Sequence, residues 1–78
     1  MDVNFSLAQM QAGQKACIVG VNMDGAMGRR LGELGFLPQT QVTCLGAAPA
    51  GSPVRYEVRG AVIALRKKDA NAVCIRLL

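Results

Sequence analysis

One short segment of this sequence alternates apolar and charged residues without interruption, and it limits the fold more than any other feature. Residues 54–59 read Val-Arg-Tyr-Glu-Val-Arg, and Gly60 follows them. A period of two is the period of a β-strand, so alternate side chains face opposite sides of the sheet. We therefore predict that Val54, Tyr56 and Val58 point into a core, and that Gly60 turns the chain into the next strand.

Four other segments have the composition of strands. Residues 15–21 are mostly apolar and lie between Gly13 and Asn22, which predicts a strand buried on both faces. The other predicted strands are 41–45, 61–65 and 73–77. Closing five short strands into a barrel would remove the edges through which open sheets aggregate. The predicted fold is therefore mainly β, a small closed five-stranded barrel.

The segment between the first two strands has helical periodicity. Asp24 can cap a helix that runs to Leu34, and Leu31 and Leu34 share one face of it. Gly35 follows, where a left-handed residue commonly closes a helix. We predict this one amphipathic helix inserted in the barrel and a short N-terminal helical turn at residues 6–10. The predicted core is Val19, Val21, Leu31, Leu34, Val42, Cys44, Val54, Tyr56, Val58, Ile63, Leu65 and Ile75.

Two glycines, Gly28 and Gly32, lie inside the predicted helix. Each costs the helix about 1 kcal/mol relative to Ala, so we expect a close approach of backbone to a strand or to a partner to compensate. Pro38 prevents the helix from continuing. Gln39 after it favours a type I turn, because a type II turn needs a positive φ at that position.

Length and charge restrict the classes of function. The 78 residues are enough for a single domain, taken as 1–78. Nine Lys and Arg against five Asp and Glu give a net charge of +4, which favours acidic partners without naming their class. The chain has no His, no phosphate-loop motif and no motif that pairs its acids. We therefore predict no enzyme, no catalytic residue, no cofactor and no binding of guanine nucleotide.

The cysteines and the N-terminus bear on metal binding and compartment. Cys17, Cys44 and Cys74 lie in apolar segments, which indicates reduced thiols rather than disulfides or a metal site. The first residues include an acid and lead into no apolar stretch, unlike a signal peptide. The longest apolar run, 16–21, is too short to span a bilayer. We expect a cytoplasmic protein that does not insert into a membrane.

Three blocks of sequence, taken together in their order and spacing, are a more specific family signature than any one block alone. They are Arg-Leu-Gly-Glu-Leu-Gly-Phe-Leu-Pro at 30–38, Ala-Pro-Ala-Gly-Ser-Pro-Val at 48–54 and Ala-Leu-Arg-Lys-Lys-Asp-Ala at 64–70. Together they resemble the FeoA family of bacterial ferrous iron uptake. The sequence departs from that family's usual pattern at Gln39, where Gly is common, and at Ser52, where Asp is common. Taken separately, each block could simply end a helix, stiffen a loop or solvate a turn.

The resemblance implies an SH3-like β-barrel and a partner. That partner is the FeoB ferrous iron transporter, a membrane protein with a cytosolic G-protein-like domain. One alternative is a free-standing regulatory domain, like the C-terminal SH3-like domain of metal-dependent transcription regulators. Another is a basic nucleic-acid-binding barrel, which we rank lower because exposed aromatic residues for base stacking are missing. Self-association is left open.

The predicted partner-binding residues lie at the end of the helix and in one loop. Helical spacing leaves Arg29, Arg30 and Glu33 on the outer side of the helix, and Leu37 projects from the turn after it. A charged face beside one apolar residue suits a transient interface. The rival hypothesis is that Leu37 only packs on the end of the barrel and that the loop from Pro49 to Pro53 makes the contact instead.

Overall fold

The computed structural model describes residues 5–78 and shows one antiparallel sheet of six strands in the order β1-β6-β2-β3-β4-β5. A single 3₁₀ turn, Leu7–Gln9, follows the first strand. The strands are β1 Phe5–Ser6, β2 Lys15–Val21, β3 Gln41–Ala47, β4 Val54–Val58, β5 Ala61–Leu65 and β6 Val73–Leu77, and the helices are α1 Gly25–Glu33 and α2 Lys67–Ala70. Residues 1–4, which include most of the segment used to argue against a signal peptide, lie outside the described residues.

All five predicted strands are present, and a sixth was not predicted. This sixth strand, β1, has only two residues and pairs with β6 through Phe5↔Ile75 and Ser6↔Cys74. The prediction of a fully closed barrel is wrong, because in residues 5–78 the sheet ends at β1 on one side and at β5 on the other. The architecture is mainly β and SH3-like, with an inserted helix as predicted.

Two β-bulges shape the sheet, one in β2 against β6 and one in β3 between Cys44 and Gly46. In β2 the register against β6 shifts between Ile18 and Gly20, so Val19 has no partner residue across the strand pair. The predicted inward position of Val19 is wrong, since its side chain is 44% exposed while Ala16 and Ile18 point into the core. A bulge adds one residue to a strand and changes its direction. Sequence alternation alone did not reveal it, because every residue from 16 to 21 is apolar or Gly.

The core lies between the concave face of the sheet, the N-terminal 3₁₀ turn and the inner face of α1. Eight of the twelve predicted core side chains are buried, and Val21, Leu34 and Ile63 are partly buried against them. Phe36 folds back into this core with 1% exposure. The fully buried side chains also include Leu7, Ile18 and Val73.

Tyr56 has the largest fully buried side chain and carries the core's one phenol. Its hydroxyl donates a hydrogen bond to the Leu7 carbonyl oxygen at 3.1 Å, which ties β4 to the N-terminal turn. Burial raises the pKa of Tyr56 to about 12, and Cys44 adds to the rise. The neutral phenol is therefore the form that the folded state stabilises.

Tyr56→Phe is expected to lower the free energy of unfolding by about 1–2 kcal/mol, because the Leu7 carbonyl stays buried without its donor. The variant also tests the raised pKa. In the wild type, the unfolded chain ionises Tyr56 near pH 10 while the folded state keeps it neutral up to about pH 12. Stability is therefore lost across that interval, and the variant should lack this component. Urea unfolding between pH 8 and 12 measures both effects, and identical pH profiles would contradict the prediction.

Candidate docking surface

Helix α1 ends in a hydrogen-bonded motif that fixes the turn after it. Gly35 has a φ of 113°, which favours Gly, and its N–H donates to the Gly32 carbonyl oxygen at 3.0 Å. The Phe36 N–H donates to the Leu31 carbonyl oxygen at 3.0 Å. These two bonds are those of a Schellman motif, in which the residue after Gly packs back onto the last turn. The predicted helix end at Leu34 and Gly35 is therefore confirmed.

The outer side of α1 carries charge, and its inner side is apolar. Arg29, Arg30 and Glu33 are exposed, while Leu31 is fully buried. Leu37 follows the helix with 43% exposure. We call Arg29, Arg30, Glu33 and Leu37 the α1 docking surface. The structure places these four predicted residues on one helix and the turn that directly follows it.

The two helix glycines have different roles. At Gly28 a Cβ atom would collide with the backbone carbonyl oxygen of Met23, in the loop before the helix. A close approach is present at Gly28, but the backbone that makes it belongs to the loop before the helix and not to a strand as predicted. At Gly32 a Cβ atom would lie 3.6 Å from Leu37 Cδ2, an ordinary contact distance. The tip of the Leu37 side chain therefore lies close to Gly32.

The turn that carries Leu37 differs from the sequence prediction. Gln39 has a φ of 69°, and the Thr40 N–H donates to the Leu37 carbonyl oxygen at 3.1 Å. The predicted type I turn is wrong, because a positive φ at this position belongs to type II. Strand pairing explains the strained conformation, since the Gln39 N–H donates to the Ile18 carbonyl at 2.7 Å and the Ile18 N–H to the Thr40 carbonyl at 2.9 Å.

Gln39→Gly is expected to raise the free energy of unfolding by up to about 1 kcal/mol, because Gly adopts a positive φ without the Cβ strain. Gln41→Gly is the matched control. It places the same change two residues later in β3, where Gly should cost about 0.5–1 kcal/mol. Chemical denaturation of both variants measures the difference. A loss of stability in Gln39→Gly equal to that in Gln41→Gly would contradict the strained turn.

A shallow cleft lies beside this turn, and the sequence did not reveal it. It encloses about 240 Å³, and its lining includes Val19, Pro38 and Arg76. Val19 reaches this cleft because the β2 bulge leaves it outside the core.

Arg59 is a further residue that the sequence did not indicate. It occupies the β4–β5 turn with a φ of 52°, and its stem packs on Gly35, where a Cβ atom would lie 3.1 Å from Arg59 Cδ. The aliphatic stem of this side chain thus lies against the C-terminal end of α1. Arg59 is connected with the helix by this tertiary contact alone, and no motif in the sequence indicates it.

The Pro49–Pro53 loop forms a separate candidate surface. Pro49 and Pro53 are exposed, and Ser52 Oγ accepts a hydrogen bond from the Lys67 backbone N–H at 3.3 Å. The Ser52–Pro53 peptide bond is cis. A second cleft, of about 370 Å³, lies beside the loop and shares no lining residue with the cleft at Pro38. The loop and the turn at Pro38 therefore lie beside separate clefts.

Metal binding has no visible site in the described part of the chain. Cys17, Cys44 and Cys74 are free thiols, and Cys44 is buried with its Sγ 3.8 Å from the Met10 carbonyl oxygen. Within residues 5–78 no three potential ligands among His, Cys, Asp and Glu come together. The absence of a tight metal site stays a prediction, which a ferrous or zinc titration tests. No described helix has the length and apolarity to cross a membrane.

The strand order, the inserted helix and the bulged sheet define a small domain of the SH3-like class. Comparison with protein families identifies it further. The model of the FeoA domain matches residues 5–77. The chain belongs to the FeoA domain family.

Individual relatives agree with this family. The Fe(2+) transport protein A/Fe(2+) transporter FeoB fusion protein of Porphyromonas gingivalis is 31% identical over 72 residues. That match covers 92% of this chain but 8% of the fusion protein, so the chain spans less than a tenth of the curated relative that it matches. FeoA of Chlorobium tepidum has a TM-score of 0.89 at 27% identity, covering 95% of this chain and 70% of that one. FeoA of Stenotrophomonas maltophilia, an SH3 domain protein solved with zinc, has a TM-score of 0.82 at 28% identity, covering 91% and 88%.

The same fold occurs in a transcription regulator. A manganese-dependent transcriptional repressor superposes with a TM-score of 0.87 at 15% identity, over 100% of this chain and 44% of the repressor chain. At this identity the likeness shows the fold alone. The regulatory alternative thus shares the architecture.

Proposed function

We propose that this protein is an accessory component of bacterial ferrous iron uptake that docks from the cytosol onto a FeoB-type transporter. The observation that carries the proposal is the Porphyromonas gingivalis relative, in which the matching stretch of 72 residues belongs to the same chain as a FeoB transporter. Fusion holds two domains at a high effective concentration. Where the two domains belong to separate chains, an interface has to bring them together.

The α1 docking surface supports such an interface by its chemistry. Leu37 offers an exposed apolar anchor beside Gly32, and Arg29, Arg30 and Glu33 are exposed charged residues of the same helix. In interfaces of this kind a few central residues dominate the binding energy, and the charged rim sets orientation and association rate.

The turn that presents Leu37 is also ordered before binding. Backbone hydrogen bonds from Gln39 to β2 and from Phe36 to α1 hold both ends of the turn. A preformed surface loses less conformational entropy when a partner binds. The family resemblance implies that the partner's cytosolic part contains a G-protein-like domain, so nucleotide chemistry would belong to that partner.

Uptake of labelled ferrous iron by cells that lack this chain tests the proposed role. We expect uptake to fall and to be restored by expression of the wild-type protein. Uptake of manganous ion serves as the control and should not change. Ferrous iron uptake that is equal with and without the chain would contradict the accessory role.

A further inference from the structure

Strand β5 lies at the end of the sheet and exposes one backbone edge. Its other edge pairs with β4 from Val58↔Ala61 to Val54↔Leu65. The connecting residues Arg59 and Gly60 both have positive φ, 52° and 82°, as in a type I′ hairpin turn. In the part of the chain that the structure describes, no strand pairs with the outer edge of β5.

The hairpin geometry decides which backbone groups that outer edge presents. A two-residue turn makes Val58 and Ala61 the closing hydrogen-bonded pair, and such pairs then alternate along an antiparallel ladder. Ile63 therefore bonds to β4, opposite Tyr56. Val62 and Ala64 fall at the alternate positions, so their N–H and C=O groups point away from β4.

The edge is apolar and accessible. Val62 is 60% exposed, Ala64 is also exposed, and no charged residue occurs within Ala61–Leu65. Sheet edges in natural proteins are commonly protected by a Lys, a Pro or a bulge within the strand. The pairing of β5 with β4 shows no bulge, since its register runs without a shift. The outer edge of β5 is therefore suited to accept an added strand.

Charges at the two ends of β5 determine which strand it accepts. Residues 55–68 contain five of the chain's nine Lys and Arg but only one of its five Asp and Glu. Arg59 lies before β5 and Arg66 to Lys68 lie after it, all exposed. A second copy paired on this edge would place basic residues opposite basic residues in either strand direction, which is destabilising. An apolar strand with carboxylates at both ends would instead be complementary.

We propose that the outer edge of β5 binds an extended apolar segment of a partner protein that carries Asp or Glu at each end, by β-strand addition. Backbone bonds to Val62 and Ala64 provide the pairing, and the basic ends select the register. The site shares no residue with the α1 docking surface, although Arg59 packs on Gly35 at the end of α1, and it does not depend on the proposed role in iron uptake.

The probe is the blocked peptide Asp-Asp-Val-Thr-Val-Thr-Val-Asp-Asp, added to the ¹⁵N-labelled full chain while amide hydrogen exchange is followed by NMR. Exchange at Val62 and Ala64 is expected to slow by at least about tenfold at saturation, because these amides gain hydrogen bonds. Ile63 is an internal control, since its amide already bonds to β4 and should change little. A peptide with Lys in place of each Asp should not bind.

Two pairs of variants separate backbone pairing from general attraction. Ala64→Pro removes an outward N–H and should abolish peptide binding, whereas Ala64→Thr keeps the N–H and should bind. Arg59→Glu with Lys68→Glu should weaken binding by at least about tenfold. Its matched control is Lys15→Glu with Arg76→Glu, an equal charge change on β2 and β6, which should weaken binding much less. This charge comparison decides the question if Ala64→Pro does not fold.

Unchanged exchange at Val62 and Ala64 at saturating peptide would overturn the proposal. So would full binding by a folded Ala64→Pro variant, or equal losses in the two charge-reversal pairs. Protection of Val62 and Ala64 that rises with protein concentration in the absence of peptide would show that a second copy occupies the edge instead.

Discussion

Arg30→Glu combined with Leu37→Ser is expected to reduce the affinity for the cytosolic part of a FeoB-type transporter by more than about a hundredfold, which corresponds to at least about 3 kcal/mol. The Leu37→Ser change removes the apolar side chain that lies beside Gly32. The Arg30→Glu change reverses an exposed charge, so the variant should repel the acidic group that Arg30 is expected to attract. Both side chains are exposed in the free protein, so the folded state should survive. Circular dichroism confirms this before binding is measured.

Two controls make the result specific. Arg55→Glu with Leu45→Ser makes the same chemical changes on β4 and β3, where Leu45 is 40% exposed against 43% for Leu37. This variant should keep its affinity. Pro49→Ala with Pro53→Ala tests the loop and should only weaken binding. Full binding by the folded Arg30 and Leu37 variant would refute the α1 docking surface, and loss of binding in the proline variant alone would favour the loop.

Gly28→Ala should destabilise the protein, and Gly32→Ala in the same helix should stabilise it. A methyl group at Gly28 collides with the Met23 carbonyl oxygen, which belongs to backbone and cannot move cheaply. We expect a loss of about 1–3 kcal/mol, as for other overpacked sites. At Gly32 the nearest atom is 3.6 Å away, so the better helix propensity of Ala should add up to about 1 kcal/mol.

Thermal or urea unfolding measures the free energy of unfolding of the two glycine variants. Because both changes replace Gly by Ala in α1, the gain in helix propensity is the same in each. The difference between them therefore reports the contact with Met23. Equal stabilisation by both substitutions would show that the loop before α1 can move away at little cost.

The sequence predicted the features of the fold that depend on local patterns. The alternation around Tyr56 gave β4 with its inward side chains, and the spacing of Leu31 and Leu34 gave α1 with its inner face. Gly35 predicted the end of the helix. A Gly directly after the last apolar helix residue, Leu34, is enough to expect a left-handed residue that closes the helix.

Features that depend on contacts between distant segments were not predicted. Val19 is exposed because β6 pairs around a bulge, and Gln39 has a positive φ because β2 bonds to its backbone. The packing of Arg59 on Gly35 likewise joins a hairpin turn to a helix end 24 residues away. Local propensity contains no information on such pairings, so tertiary contacts override it.

Calorimetric titration of the wild-type chain with the purified cytosolic domain of a FeoB-type transporter, with and without guanine nucleotide, tests the central claim most directly. We predict saturable binding with defined stoichiometry to that domain, and no heat of binding when the chain alone is titrated with the nucleotide. Absence of binding in every nucleotide state of a folded domain would contradict the claim that this protein acts by docking onto the transporter.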